Sequence, residues 1–240
     1  MVKPEVPTAY ALAVLEGDRP AFAHARAAAA AGVEDGTLYW SERADRLDLA
    51  LVLEPEEDLD ATLRAFYAFQ VAAGDALGAY TEAAFPLAVR WPLTITFDQF
   101  HLARTRVAWP EETPPDRRPT WIVFGLEAEV SEPDPDHERP DLITLRGAGA
   151  VDVPVARFVE AVARHFLFWL GRLEQYGFAV IRRAWNERCD ERGRVRALRL
   201  PGLEVAGTVG GLDARGRFVV GERALALHEL PPALLAGEAP

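Results

Sequence analysis

The segment VRWPLTITFDQFHLARTRVAW, residues 89–109, holds the side chains best suited to chemistry in this sequence. Arg90 and Trp91 precede a proline that ends a predicted strand, because proline cannot donate to a β-ladder. A guanidinium and an indole at this strand end are candidates to line a ligand pocket. His101 opens the next predicted strand, where an imidazole is a candidate general base. Each also has a structural interpretation: a core tryptophan, an arginine on a strand edge and a structural histidine.

This segment is predicted to form an antiparallel hairpin that turns at about Asp98–Phe100. Side chains alternate between the two faces of a strand, so His101 and Thr105 are predicted to share one face. Arg104 and Arg106 are then predicted to lie on the opposite face. This register places the imidazole among small and apolar side chains, which favours a structural role for it.

Three other groups of reactive side chains favour structural interpretations. Asp134, Asp136, His137 and Glu138 lie in DPDHE, which has no helical or strand frame to set metal geometry, so it is predicted to be a solvated loop. Cys189 lies near a predicted helix C-terminus, and helix C-termini do not lower the pKa of a thiol. GTVGG, residues 207–211, lacks the lysine and the strand-to-helix context of a phosphate-binding loop. We therefore predict no catalytic residue, no metal site and no cofactor.

The elements that must position these side chains follow from hydrophobic periodicity and capping signals. Besides the hairpin, helices are predicted at residues 18–32, 58–80, 151–177 and 178–189, and strands at 37–40, 46–55 and 120–130. Asp18 and Asp152 are the predicted N-caps of the first and third helices. After Gly193 the pattern changes to short strands with glycine turns, typical of a small β-barrel. The sequence thus predicts an α/β (α+β) domain over residues 1–192 and a β-domain over 193–240.

Composition excludes several function classes. Half of the 240 residues are hydrophobic and the formal net charge is −11, which argues against nucleic acid and anionic membrane surfaces as partners. One cysteine cannot form an internal disulfide, and we see neither a signal peptide nor a membrane-spanning run. A cytoplasmic setting is therefore predicted. Lys3 is the single lysine among 26 lysines and arginines, so the predicted elements contain none.

The order of these elements, together with three motifs, resembles the biotin/lipoate protein ligase family. Arg90-Trp91-Pro92 matches the family's Lys-Trp-Pro-Asn-Asp motif. GFAVIRRAWNER, residues 177–188, resembles its closing helices, and LEVAGTVGGLDARGRFVVG, residues 203–221, resembles its C-terminal SH3-like β-barrel. The resemblance implies a ligase-like mixed sheet flanked by helices. It also implies a two-step reaction, in which ATP activates a small carboxylic acid to an acyl-adenylate and the acyl group then passes to a lysine of a carrier domain.

The sequence departs from this pattern at the positions that the chemistry uses. SERADR, residues 41–46, stands where the family has a Gly-Arg-rich adenylate loop; it has no glycine and is too short to fold over a nucleotide. Leu93 and Thr94 replace the Asn-Asp pair. His101 occupies the position of the catalytic lysine, and Arg104 that of a glycine three residues later.

We therefore predict a degenerate ligase-like protein without ATP-dependent ligation. It is predicted to bind a small carboxylic acid or an acyl carrier partner, with Arg90, Trp91, Thr94, His101 and Thr105 as the substrate-binding residues. Two alternatives stay open: an active acyltransferase or ligase of altered mechanism that uses His101, and a non-catalytic structural or interaction protein.

Overall fold

The computed structural model describes residues 3–131 and 140–238. Its central strands are β1 Ala11–Leu15, β2 Thr37–Ser41, β3 Arg46–Leu53, β4 Leu87–Arg90, β5 Thr94–Phe97, β6 Phe100–Ala108 and β7 Ile122–Glu129. They form one mixed sheet in the order β1-β2-β3-β7-β6-β5-β4. β1 pairs with β2 in parallel, and the other neighbours pair antiparallel. The predicted mixed sheet is confirmed.

Helices cover both faces of this sheet. α1 Ala21–Ala30 packs on one face, while α2 Leu59–Gly78, α3 Val155–Tyr176 and α4 Phe178–Arg188 pack on the other. β3 is therefore buried on both faces. Leu49 and Leu51 join the core under α2 and α3, whereas Ala50 and Val52 join the core under α1. A strand covered on both faces reads as a continuous apolar run, which is why the sequence reveals it.

Within the described part of the chain, none of the helices combines the length and apolar character needed to cross a bilayer.

Both predicted helix N-caps, Asp18 and Asp152, are wrong. α1 begins at Ala21 without a side-chain cap from Asp18; instead the Ala21 backbone N–H donates to the Asp48 carboxylate on β3 at 2.9 Å. Asp152 has a positive φ of 60° and does not cap α3, which begins after Pro154. The first N-cap is thus supplied by a residue distant in sequence, and local capping signals cannot reveal such a partner.

β1 was not predicted from the sequence. ALAVL is a short apolar run, and such runs do not distinguish a strand from other buried segments. It becomes a strand because α1 carries the chain back so that Ala11 lies opposite Thr37 in a parallel β1-α1-β2 unit.

A second, antiparallel sheet follows α4. It contains β8 Val195–Leu200, β9 Leu203–Leu212, β10 Phe218–Val220 and β11 Arg223–Leu225 in the order β11-β10-β9-β8, and the short helix α5 Pro232–Leu235 follows. The predicted separate C-terminal sheet is confirmed. The domain boundary at residue 192 and the closure of this sheet into an SH3-like barrel stay predictions.

Candidate functional site

A row of polar side chains crosses the face of the main sheet that carries α1. The strand pairings place Asp48 opposite Glu127, Glu127 opposite Arg104, Arg104 opposite Thr94 and Thr94 opposite Arg90. Directly opposite residues of antiparallel strands point to the same face. This row therefore brings polar groups from five strands, four of them charged, to one side of the sheet.

A β-bulge adds His101 to this face. The pairing of β5 with β6 shifts by one residue, so that Ala103 lies opposite Ile95 but His101 lies opposite Thr96. One extra residue reverses the alternation of side chains beyond it. The predicted register is wrong at this point: His101 and Arg104 line the same cavity instead of lying on opposite faces. The turn itself is at Asp98 and Gln99, as predicted, and both have positive φ.

A cavity of about 320 Å³ opens on this face over β3, β7, β6 and β5. Its polar lining comprises Arg46, Thr94, His101, Arg104, Glu127 and Glu129, and Leu102 and Leu142 add apolar surface. The volume falls in the range of small-molecule sites, which combine apolar walls with a few placed polar groups. We call it the sheet-face cavity.

The charges of the sheet-face cavity are only partly balanced. Glu127 pairs with Arg106 at 2.6 Å, and Glu129 pairs with Arg46 at 3.6 Å. Among residues 3–131 and 140–238, Arg104 has no ion-pair partner, and its side chain is exposed to the cavity. The cavity therefore presents one guanidinium that is free to bind an anionic group.

His101 is held mainly by its backbone. Its N–H donates to the Asp141 carbonyl at 2.8 Å, and its carbonyl accepts from Ile143 N–H at 2.9 Å. The imidazole is 44% exposed, and its Nδ1 lies 3.9 Å from the Asp141 carboxylate. The ring is thus available to a molecule in the cavity while its backbone is fixed.

Trp91 lies away from the sheet-face cavity. The residue is 3% exposed, and its ring stacks on Phe218 of the C-terminal sheet with centroids 4.8 Å apart and planes within 4°. Its indole N–H donates to the Tyr67 hydroxyl at 3.3 Å. Arg90, just before it, pairs with Asp190 at 3.2 Å and Glu191 at 3.5 Å. The Arg-Trp-Pro segment therefore joins the main sheet to the chain that follows α4.

A buried hydrogen-bond network fixes the turn after Trp91. The Gln70 amide donates to the Pro92 carbonyl at 2.7 Å and to the Thr105 hydroxyl at 3.0 Å. Its carbonyl oxygen accepts from the Trp185 indole N–H at 2.8 Å, and Thr105 in turn donates to the Leu93 carbonyl. Each of these groups is buried and satisfied, a condition under which such networks rigidify a core.

We expect Gln70→Leu to lower the free energy of unfolding by about 2–4 kcal/mol, because the Trp185 N–H and the Pro92 carbonyl would stay buried without partners. Chemical denaturation measures this change. The exposed Gln175→Leu is the matched control, expected to change stability by less than about 0.5 kcal/mol. Equal effects of the two substitutions would contradict a stabilising role for the network.

The model of the biotin/lipoate A/B protein ligase family matches residues 6–187. The chain belongs to this family. Since the match ends before Val195, the family model covers the main sheet and its helices and not the C-terminal sheet.

Individual ligase-family relatives agree in fold. The chain is 25% identical to a biotin–[acetyl-CoA-carboxylase] ligase from Paracoccus denitrificans over 75% of its length and 76% of the relative. A biotin protein ligase-like protein of unknown function from Silicibacter sp. TM1040 matches with a TM-score of 0.86 at 24% identity, covering 95% of this chain and all of that one. The biotin protein ligase from Aquifex aeolicus matches with a TM-score of 0.72 at 17% identity, covering 89% and 94%.

The five predicted substrate-binding residues of this ligase-family member separate into two groups. Thr94 and His101 line the sheet-face cavity. Trp91 and Thr105 are buried in the core beneath α2, and Arg90 is engaged in ion pairs beyond the cavity. The substrate-binding role of all five stays a prediction, and the geometry favours it for the first two.

Sequence analysis did not single out four other residues that line the cavity. Arg46, Glu127 and Glu129 come from strands whose apolar residues dominate the pattern, and Leu142 comes from a loop. Charges at alternate positions of β7, in GLEAEV, were the available signal, because an alternating strand turns them all to one face.

Cys189 does not line the sheet-face cavity. Cys189 is buried, and desolvation raises the pKa of its thiol to about 11, which keeps the thiol protonated near neutral pH. Asp134, Asp136, His137 and Glu138 lie outside the described residues. Across 3–131 and 140–238, no three histidine, cysteine or acidic side chains are grouped so as to hold a metal.

Proposed function

We propose that this protein binds a small carboxylic acid in the sheet-face cavity and does not carry out ATP-dependent ligation. The observation that carries the proposal is Arg104, a guanidinium without a partner among the described residues, which faces a cavity with apolar walls at Leu102 and Leu142. A carboxylate on a short apolar chain complements that combination, because a guanidinium binds a carboxylate through two parallel hydrogen bonds.

The connection between β2 and β3 supports the absence of ligation. Only residues 42–45 join Ser41 to Arg46, and Arg43 in this connection pairs with Asp18 and Asp45. Four residues, with their one guanidinium engaged, do not extend over a nucleotide. In the ligase family that the sequence resembles, the adenylate loop lies at this connection.

The proposal also includes a carrier domain as a macromolecular partner of the protein. His101 lines the cavity at the position where the resemblance places the reactive lysine, so a carrier-linked acyl group would enter the same cavity. Binding of the free acid does not depend on this second part of the proposal.

Titration with biotin, lipoate and octanoate tests the proposal. We expect at least one acid to raise the melting temperature in a saturable manner, because a ligand that binds only the folded state stabilises it by mass action. The corresponding amide is expected to have no effect. Arg104→Gln should weaken binding of the acid by about tenfold or more, since a hydrogen bond to a charged group contributes roughly 1.5–3 kcal/mol.

Arg194→Gln is the matched control for this titration, because Arg194 is exposed near the C-terminal sheet and outside the cavity. It is expected to bind the acid as the unmodified protein does. Equal binding of acid and amide, or equal weakening by both substitutions, would show that the Arg104 guanidinium does not select a carboxylate.

One observation favours a second candidate, an acyltransferase or ligase of altered mechanism. The bulge places His101 and Arg104 on the same cavity, so a general base and a permanent cation face the same bound molecule. Turnover that depends on His101 separates this candidate from binding alone.

A further inference from the structure

A second cleft lies between α2 and the C-terminal sheet. It has a volume of about 250 Å³ and shares no lining residue with the sheet-face cavity. Its charged lining comprises Asp60, Arg64, Arg215, Arg217, His228 and Glu229. We call it the inter-sheet cleft.

The acidic groups at the inter-sheet cleft are engaged with partners of their own. Asp60 lies 2.9 Å from Nδ1 of His228, and the Glu229 carboxylate accepts from the Ala226 N–H at 2.8 Å. Asp213, at the base of the turn that follows β9, pairs with Arg217 at 2.8 Å. Among the described residues, none of these carboxylates forms an ion pair with the other two arginines of the cleft.

Arg64 and Arg215 are those two arginines. Neither has an ion-pair partner within the described ranges 3–131 and 140–238. Arg64 packs over the Phe178 ring at 5.8 Å, and its Nε is buried with no hydrogen-bond acceptor. An unpaired guanidinium that is partly removed from water is stabilised by a bound anion.

The turn between β9 and β10 places Arg215 at the same cleft as Arg64. Gly216 has a φ of +83°, and a Cβ built there would lie 3.5 Å from Arg64, Phe178 and Tyr67. The positive φ favours glycine, and the turn that carries Arg215 packs at van der Waals distance against α2. The main sheet layer and the C-terminal sheet therefore each supply one arginine.

We propose that the inter-sheet cleft is a binding site for a phosphate-class oxyanion, held between Arg64 and Arg215. A phosphate offers at least three acceptor oxygens, enough for two guanidinium forks from opposite sides, whereas a carboxylate offers two. The group is inorganic phosphate or the phosphate of a small monoester. Its binding joins α2 to the C-terminal sheet and is independent of the proposed carboxylic acid site.

Calorimetric titration with inorganic phosphate, at constant ionic strength in chloride, tests this site. We expect saturable binding, which Arg64→Gln and Arg215→Gln each weaken by about tenfold, as expected for loss of one charge-assisted hydrogen-bonding group. Arg64→Lys tests whether loss of the Arg64 packing alone is responsible, since it keeps the charge and should bind more tightly than Arg64→Gln. Glycerol phosphate, titrated in parallel, identifies a monoester as the ligand if it binds more tightly than free phosphate.

Arg223→Gln is the matched control, because Arg223 is exposed on the same small sheet and does not line the cleft. It should bind phosphate within about twofold of the unmodified protein. The proposal would be overturned if phosphate showed no saturable binding, or if all variants bound it with the same affinity. Any stabilisation by phosphate would then be its general salt effect.

Discussion

Replacing Trp91 with alanine is expected to lower the free energy of unfolding by about 3–5 kcal/mol, the usual cost of removing a buried aromatic side chain. The indole stacks on Phe218 and donates to Tyr67, so its removal leaves a cavity between the main sheet and the C-terminal sheet. Denaturant unfolding measures the loss. Loss of the stacking should also make unfolding of the C-terminal sheet less cooperative with the rest.

Trp91→Phe and Phe168→Ala are the controls for this change. The first keeps an aromatic ring against Phe218 and loses the hydrogen bond, so we expect it to cost less than half as much as alanine. The second removes an aromatic ring that is 57% exposed on α3 and should have a small effect. If Trp91→Ala instead left stability unchanged and abolished acid binding, Trp91 would belong to the ligand site.

Formation of biotinyl- or lipoyl-adenylate is expected to be several orders of magnitude slower than in an active biotin protein ligase. In comparable electrostatic sites, each preorganised donor contributes about 3–4 kcal/mol to transition-state stabilisation. Here the β2–β3 connection has four residues, Leu93 and Thr94 replace the Asn-Asp pair, and His101 replaces the lysine. These losses are not additive, so we expect a large decrease in rate without assigning it to single positions.

Acid-dependent exchange of pyrophosphate into ATP measures this step, with biotin, lipoate and octanoate as the acids and an active ligase as the positive control. Exchange above background that His101→Ala abolishes would establish the altered-mechanism enzyme in place of the binding protein. Exchange above background that His101→Ala leaves intact would also contradict the proposed absence of ATP-dependent ligation, and it would show that His101 is not required for the activity.

Trp91 and His101 both lie in the segment 89–109, but they are expected to affect different properties of the protein. Trp91 is expected to act through stability because it is buried against Tyr67 and Phe218. His101 is expected to act at the ligand because the bulge turns it to the open face. A substitution at Trp91 that alters binding would therefore do so through the fold. Measuring stability and acid binding on the same variants separates these effects.

Most elements of the main layer follow from local signals in the sequence. The continuous apolar run of β3, the 3.6-residue periodicity of α2 and α3 and the glycine at Gly177 that ends α3 are local signals, and each element is present. The order of these elements, together with the Arg-Trp-Pro motif and the patterns of residues 177–188 and 203–221, indicated the ligase family. These features are readable because they depend on residues close together in the chain.

Which side chains share the candidate site became clear only from the assembled fold. The bulge in β6 reverses the face of His101. No residue type in that segment indicates that the pairing contains an extra residue. Arg104 became the free cation because Glu127 and Glu129 are paired with Arg106 and Arg46, partners chosen by strand register and not by sequence distance. Site chemistry depends on contacts between distant segments, and those contacts are fixed only when the sheet is assembled.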